Sequence, residues 1–138
     1  MGKLTCQDLM IGDWVYTHEP EGSIIPEGKA HRINEIWGIS DEVTADDSWY
    51  PIGDIRPIPL TSEILVKNGF VGYHLTDSYE LNTDYYEIEV WNYRDGLWVV
   101  NVHWIEFSST PDDKLTVSYV HQLQHLLRLC GIEKEIGL

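Results

Sequence analysis

Apolar positions recur along this chain with two different periods, and the change from one to the other divides it. Over 11–58 they alternate with polar residues in short runs, the period of two expected of half-buried strands. Gly12-Asp-Trp-Val-Tyr16 reads as a strand opened by a Gly-Asp turn. A second is predicted over 31–37, with Ile33, Glu35 and Trp37 on one face and Arg32, Asn34 and Ile36 on the other. Shorter strands follow at Glu42–Ala45 and 48–50 around an Asp46-Asp47 turn. The stretch 52–58 gives a tight turn and an edge strand, because Pro57 and Pro59 lack the N–H that a central ladder requires. Pro20, Gly22, Pro26 and Gly28 break the pattern and predict a long exposed loop over 18–29. A long first loop, short strands and a tight last turn together predict a small SH3-like β-barrel over residues 1–60.

Beyond residue 59 the punctuation changes. Thr61 can cap a two-turn helix, with Leu60 placed to staple onto Leu65, Gly69 to end it and Phe70 to fold back. So short a connecting helix cannot persist alone, which requires Ile64, Leu65 and Phe70 to be covered. Short strands are expected near Tyr73 and Tyr79. Over 85–105 the alternation is that of a hairpin, and its register can be derived. A two-residue Asp95-Gly96 loop pairs Tyr93 with Trp98 and mixes polar and apolar residues on both faces. A three-residue loop with Gly96 left-handed pairs Tyr93 with Leu97 and separates the faces: Tyr86, Ile88, Val90, Trp98, Val100, Val102 and Trp104 on one, Glu87, Glu89, Asn101 and His103 on the other. The second register is the prediction.

After a polar connection over 108–114, the period becomes 3.6. Residues 118–131 read as a helix with Ser118 or Thr116 as its cap, Gly131 as its stop and Ile132 folding back onto Leu127. Tyr119, Val120, Leu123, Leu126, Leu127 and Cys130 share one face, which the Trp-rich side of the hairpin would seat. His121, Gln124, His125 and Arg128 share the other, expected to face solvent. The last residues, 133–138, read as a short tail or edge strand. The expected whole is an α+β fold: the barrel, the connecting helix, then an antiparallel sheet with its helix over 61–138, the two parts sharing a core.

Charge changes the range of partners. Twenty-three acids against nine bases give −14, spread evenly, with −7 on residues 1–60 and −7 on 61–138. Direct nucleic-acid binding is not expected of such a field. Six Trp and eight Tyr against two Phe favour side chains that pack on one edge and meet water or a partner on the other. No segment has the apolar length of a membrane span, and neither Gly2 nor Cys6 sits in a lipidation or secretion pattern, so no membrane attachment is expected. Two cysteines far apart, Cys6 and Cys130, predict reduced thiols and a cytoplasmic setting, with Cys130 in the core.

Candidate chemistry is sparse. His121 and His125 have the four-residue spacing at which two imidazoles can share a metal, but Gln122 stands where a zinc-protease helix carries its glutamate, and no third ligand is evident. Glu87 and His103 become cross-strand neighbours, an arrangement common on open sheet faces. No catalytic residue, metal or cofactor is expected. The exposed helix face of His121, Gln124, His125 and Arg128 is therefore the predicted interaction surface, with the 18–29 loop as another.

Two stretches, Arg56-Pro-Ile-Pro-Leu-Thr-Ser-Glu-Ile-Leu-Val-Lys-Asn-Gly-Phe70 and Tyr119-Val-His-Gln-Leu-Gln-His-Leu-Leu-Arg-Leu-Cys-Gly131, resemble the signature stretches of a small uncharacterised protein family of Bacteroides-type gut bacteria and their phages or mobile elements; Ile11-Gly-Asp-Trp-Val15 is similar too. The resemblance implies an origin in such bacteria or in their prophages or mobile elements, and it carries over no assigned reaction, cofactor or catalytic residue. The expected function is a non-enzymatic, cytoplasmic protein-interaction module. The alternatives are an acidic inhibitor mimicking DNA and a small histidine-dependent hydrolase.

Overall fold

A computed structural model describes residues 4–17, 29–45, 48–73, 77–94, 96–105 and 115–138. The chain divides into two compact units, Met1–Ile58 and Pro59–Leu138. Of the expected 18–29 loop, all but Lys29, which begins a strand, lies outside the described residues, as do the Asp46-Asp47 turn and the 108–114 connection.

The first unit contains strands β1 (Trp14–Thr17), β2 (Lys29–Trp37), β3 (Glu42–Ala45), β4 (Ser48–Pro51) and β5 (Ile55–Pro57), all antiparallel, in the order β4-β3-β2-β1-β5. The proline-bearing β5 lies at an edge, as its missing N–H groups require. The expected SH3-like barrel is not formed. Among the described strands β4 and β5 remain the two outer members of an open sheet and do not pair with each other. Closure depends on the curl of the sheet, which alternation does not encode.

A second difference lies within β2. Its ladder runs Ile33 to Ala45 and then Glu35 to Thr44, so Asn34 is the extra residue of a bulge. Before the bulge His31 and Ile33 are buried; after it the core-facing position passes to Ile36, and Glu35 and Trp37 point out. A single alternation through 31–37 therefore fails at its centre. Leu9, Val15, Ile33, Val43 and Ile55 form the core, with Ile36, Tyr50 and Ile52 packed against it. Asp13 is 1% exposed; its carboxylate accepts from the Met10 N–H at 2.7 Å, holding the turn that leads into β1.

The second unit opens with α1 (Ser62–Lys67) and continues through β6 (Val71–Tyr73), β7 (Ser78–Asn82), β8 (Tyr86–Arg94), β9 (Leu97–Trp104), β10 (Leu115–Val117) and α2 (Val120–Leu129). Its sheet is an antiparallel meander in the order β10-β9-β8-β7-β6. The hairpin register agrees with the face-separating prediction from Tyr86–Trp104 to Asn92–Trp98. At the tip it departs: Arg94, not Tyr93, opposes Leu97, and Tyr93 is the extra residue of a bulge. The bulge joins the short loop to the register that keeps Ile88, Val90, Trp98 and Val100 on the buried face. Gly96 is left-handed, with φ 77°.

Both helices end as their sequences predict. In α1 the Thr61 side chain accepts from the Ile64 N–H, and Phe70 N–H donates to Leu65 carbonyl at 3.1 Å. In α2, Gly131 at φ 78° lets Ile132 N–H reach Leu127 carbonyl at 2.8 Å and its own N–H reach Arg128 carbonyl at 3.0 Å, the paired bonds of a Schellman stop. The N-terminus differs: Tyr119 is the cap residue, and the Gln122 side chain turns back to accept from the Ser118 and Tyr119 N–H groups. Val120, Leu123, Leu126 and Leu127 are buried. At about 1.5–3 kcal/mol each, they outweigh the weak helical tendency of so short a segment. The Trp98 indole N–H donates to Leu60 carbonyl at 3.0 Å, tying the hairpin to the start of α1.

Candidate interaction site

The helix face expected to carry contacts is largely interior. His121 is 3% exposed and Gln124 4%, whereas His125 and Arg128 are half-buried. Both strongly buried residues correct the prediction, and each has a visible reason. The His121 ring stacks on Tyr119 at 5.9 Å and meets the edge of His125 at 5.5 Å. Gln124 is used by the chain itself. Its amide nitrogen donates to Lys134 carbonyl at 2.9 Å, and its oxygen accepts from Ile136 N–H at 2.7 Å.

One carboxamide thus replaces the neighbouring strand that the tail lacks. Asn68 repeats the device: its oxygen accepts from Gly137 N–H and its nitrogen donates to Gly137 carbonyl, both at 2.8 Å, while the same nitrogen also reaches Ile64 carbonyl. Ile132 and Ile136, each 2% exposed, anchor the tail by burial, and Arg128 lies 3.7 Å from the Glu135 carboxylate. Between α2 and this tail a shallow cavity of about 370 Å³ is lined by Gln124, Arg128, Gly131, Ile132, Glu133 and Glu135. Its walls combine charged, amide and apolar side chains.

The remaining chemical candidates do not assemble. Glu87 does stand opposite His103, beside the Glu89–Asn101 pair, on the outward face of the second sheet. Glu80 joins this face opposite Glu89 and is engaged by the Tyr73 hydroxyl at 3.0 Å, whose hydrogen bond and negative charge push the Tyr73 phenol above its ordinary value. No group of three His, Cys, Asp or Glu able to hold a metal ion occurs among the described residues. Cys6 and Cys130 are both unbridged and half-buried, and burial raises both thiols. No helix is long and apolar enough to cross a membrane among the described residues.

The feature that helical periodicity could not find is in the first unit. Trp37 is 49% exposed and Trp49 54%, with their ring centroids 5.5 Å apart, and Ile39 stands fully out of the turn that follows β2. Single exposed apolar residues are ordinary, but a cluster of large ones is not. The β2 bulge creates it, because the shift that buries Ile36 turns Trp37 outward onto the face that Trp49 occupies. The available signal was the spacing of three between Ile33 and Ile36, which strict alternation cannot accommodate. Compared with known proteins, the chain matches no family model, no curated protein and no solved structure.

Proposed function

We propose that the protein is a non-enzymatic, cytoplasmic interaction module of prophage or mobile-element origin, and that it meets its protein partner through the outward face of β2–β4. The observation that carries this reading is the Trp37–Trp49 pair, two half-exposed indoles held together with Ile39 beside the same strand end. Trp is the side chain that most often dominates a protein contact, since a large ring loses little conformational freedom on burial. The origin rests on the motif resemblance at 56–70 and 119–131. The compartment rests on the two unbridged cysteines.

A photoreactive residue in place of Ile39 tests the reading in a bacterial lysate. A discrete adduct that disappears when Trp37→Ala and Trp49→Ala are introduced is expected. Adducts indifferent to both substitutions would contradict it.

One observation favours a second reading, an acidic inhibitor that mimics nucleic acid: Glu80, Glu87 and Glu89 share the outward face of the second sheet. Asn101 and His103 interrupt that face, so the acids form no continuous row. Here Glu80→Gln with Glu89→Gln, rather than the Trp substitutions, would abolish capture of a DNA-binding protein.

A further inference from the structure

Ladder register sets the side chains of β2, β3 and β4 in a grid on the outward face. Glu35, Thr44 and Trp49 form one cross-strand row, and Trp37, Glu42 and Pro51 the next. The two indoles lean diagonally across β3 and touch in a tilted contact with their planes 50° apart, each ring remaining about half exposed. Glu35 is fixed beside them by the Trp37 indole N–H, which donates to the carboxylate at 3.1 Å. Thr44, on the strand between the two rings, is 8% exposed, and its hydroxyl oxygen has no hydrogen-bond partner among the described residues.

Charge selects the occupant. A purely apolar partner would strip water from the carboxylates of Glu35 and Glu42 without replacing it, and an anion would meet the field of a chain carrying −14. A lysine ammonium is a compact, strongly hydrated charge with no flat face. A guanidinium is planar and weakly hydrated, stacks on an indole face, and carries five N–H donors for carboxylate and hydroxyl acceptors. The molecule already sets a guanidinium over an aromatic ring at two places on its own surface: that of Arg32 lies 5.5 Å from the Trp14 indole and that of Arg94 lies 5.2 Å from the Tyr93 phenol ring.

We infer that the exposed surface of the Trp37–Trp49 pair receives an arginine side chain of a basic protein partner. The inference rests on the interaction-module reading and adds the chemistry of the partner to it. Indole faces supply the cation–π surface, Glu35 and Glu42 accept beside them, and the unpartnered Thr44 hydroxyl lies buried on the strand between the rings.

Calorimetric titration of the full chain with an arginine–glycine repeat peptide, and with its citrulline counterpart, tests this. Citrulline keeps the shape of the side chain and removes its charge. The arginine peptide should bind about tenfold tighter or more. Trp37→Ala with Trp49→Ala should remove that preference at unchanged net charge, and Glu35→Gln should weaken it severalfold. Equal affinity for the two peptides, no binding of either, or an arginine preference that survives loss of both indoles would overturn the inference. Should the double Trp variant fail to fold, Glu35→Gln with Glu42→Gln keeps both rings and must still reduce the arginine preference. If the Ile39 adduct remains dependent on the Trp pair while the peptides bind alike, only the arginine chemistry falls. If the adduct ignores the Trp pair, the interaction reading falls as well.

Discussion

The polar face of α2 and the outward face of β2–β4 are each the reverse of what their residues suggest. Gln124 and His121 are polar and buried, while Trp37 and Trp49 are apolar-bodied and half-exposed. The first reversal is explained from within: a tail with no strand or helix of its own takes its backbone hydrogen bonds from Gln124 and Asn68. The second has no such account, since nothing among the described residues of the first unit requires two large rings to remain in water. Gln124 and Asn68 therefore report on folding, whereas the Trp37–Trp49 pair is where the proposed partner would be met. Neither conclusion follows from residue type alone.

Substitutions separate the two faces most sharply at Gln124. Gln124→Ala leaves the carbonyl of Lys134 and the buried N–H of Ile136 unsatisfied, and should lower stability by about 2–3 kcal/mol in urea unfolding. A loss near zero would mean that the tail is not held. Asn68→Ala removes the two bonds to Gly137, which lie nearer the surface, and should cost about 1–2 kcal/mol. Gly131→Ala, read from the thermal midpoint, should cost about 1–2 kcal/mol from the left-handed backbone alone, because an added Cβ would meet only Trp104 at an ordinary 3.9 Å. Trp37→Ala with Trp49→Ala should cost no more than about 1 kcal/mol while abolishing partner capture. A larger loss of stability would assign the pair to folding and erase the contrast.

The smallest effect is expected at Cys130. Burial lifts its thiol above the ordinary value of 9.0, so ionisation is less favourable in the folded chain than in the unfolded one. The thiol thus favours the folded state below that ordinary value, and the advantage fades as pH rises through the lifted one. Alkylation at mildly alkaline pH should be slower than in denaturant, and equal rates would show an open thiol.

Much of this was legible because local chemistry specified it. Gly131 with Ile132, and Gly69 with Phe70, announce Schellman stops, and both form. Face separation along 86–104 determined the hairpin register, because one slip would turn Ile88 and Val90 out to water. What stayed hidden depends on partners distant in sequence. A helical wheel assigns Gln124 to solvent unless something covers it, and the cover is a tail of seven residues whose only advertisement is Ile132 and Ile136. The exposed Trp37–Trp49 pair was not legible, because the β2 bulge exchanges faces between Ile33 and Ile36. Sheet closure was misjudged for a similar reason: five short strands specify pairing order without specifying that the ends meet.

Amide hydrogen exchange at Ile136 and Gly137 tests most directly whether the polar side chains of the second unit are spent on its own tail. Both amides lie outside every strand and helix, yet each donates to a side-chain oxygen, at 2.7 Å to Gln124 and 2.8 Å to Asn68. Ile136 should exchange as slowly as the buried core, with Gly137 intermediate, and Gln124→Ala should release the first but not the β8–β9 ladder. Exchange of Ile136 at the rate of an unstructured peptide would contradict the account, because Gln124 would then be free to serve as the contact face that the structure denies it.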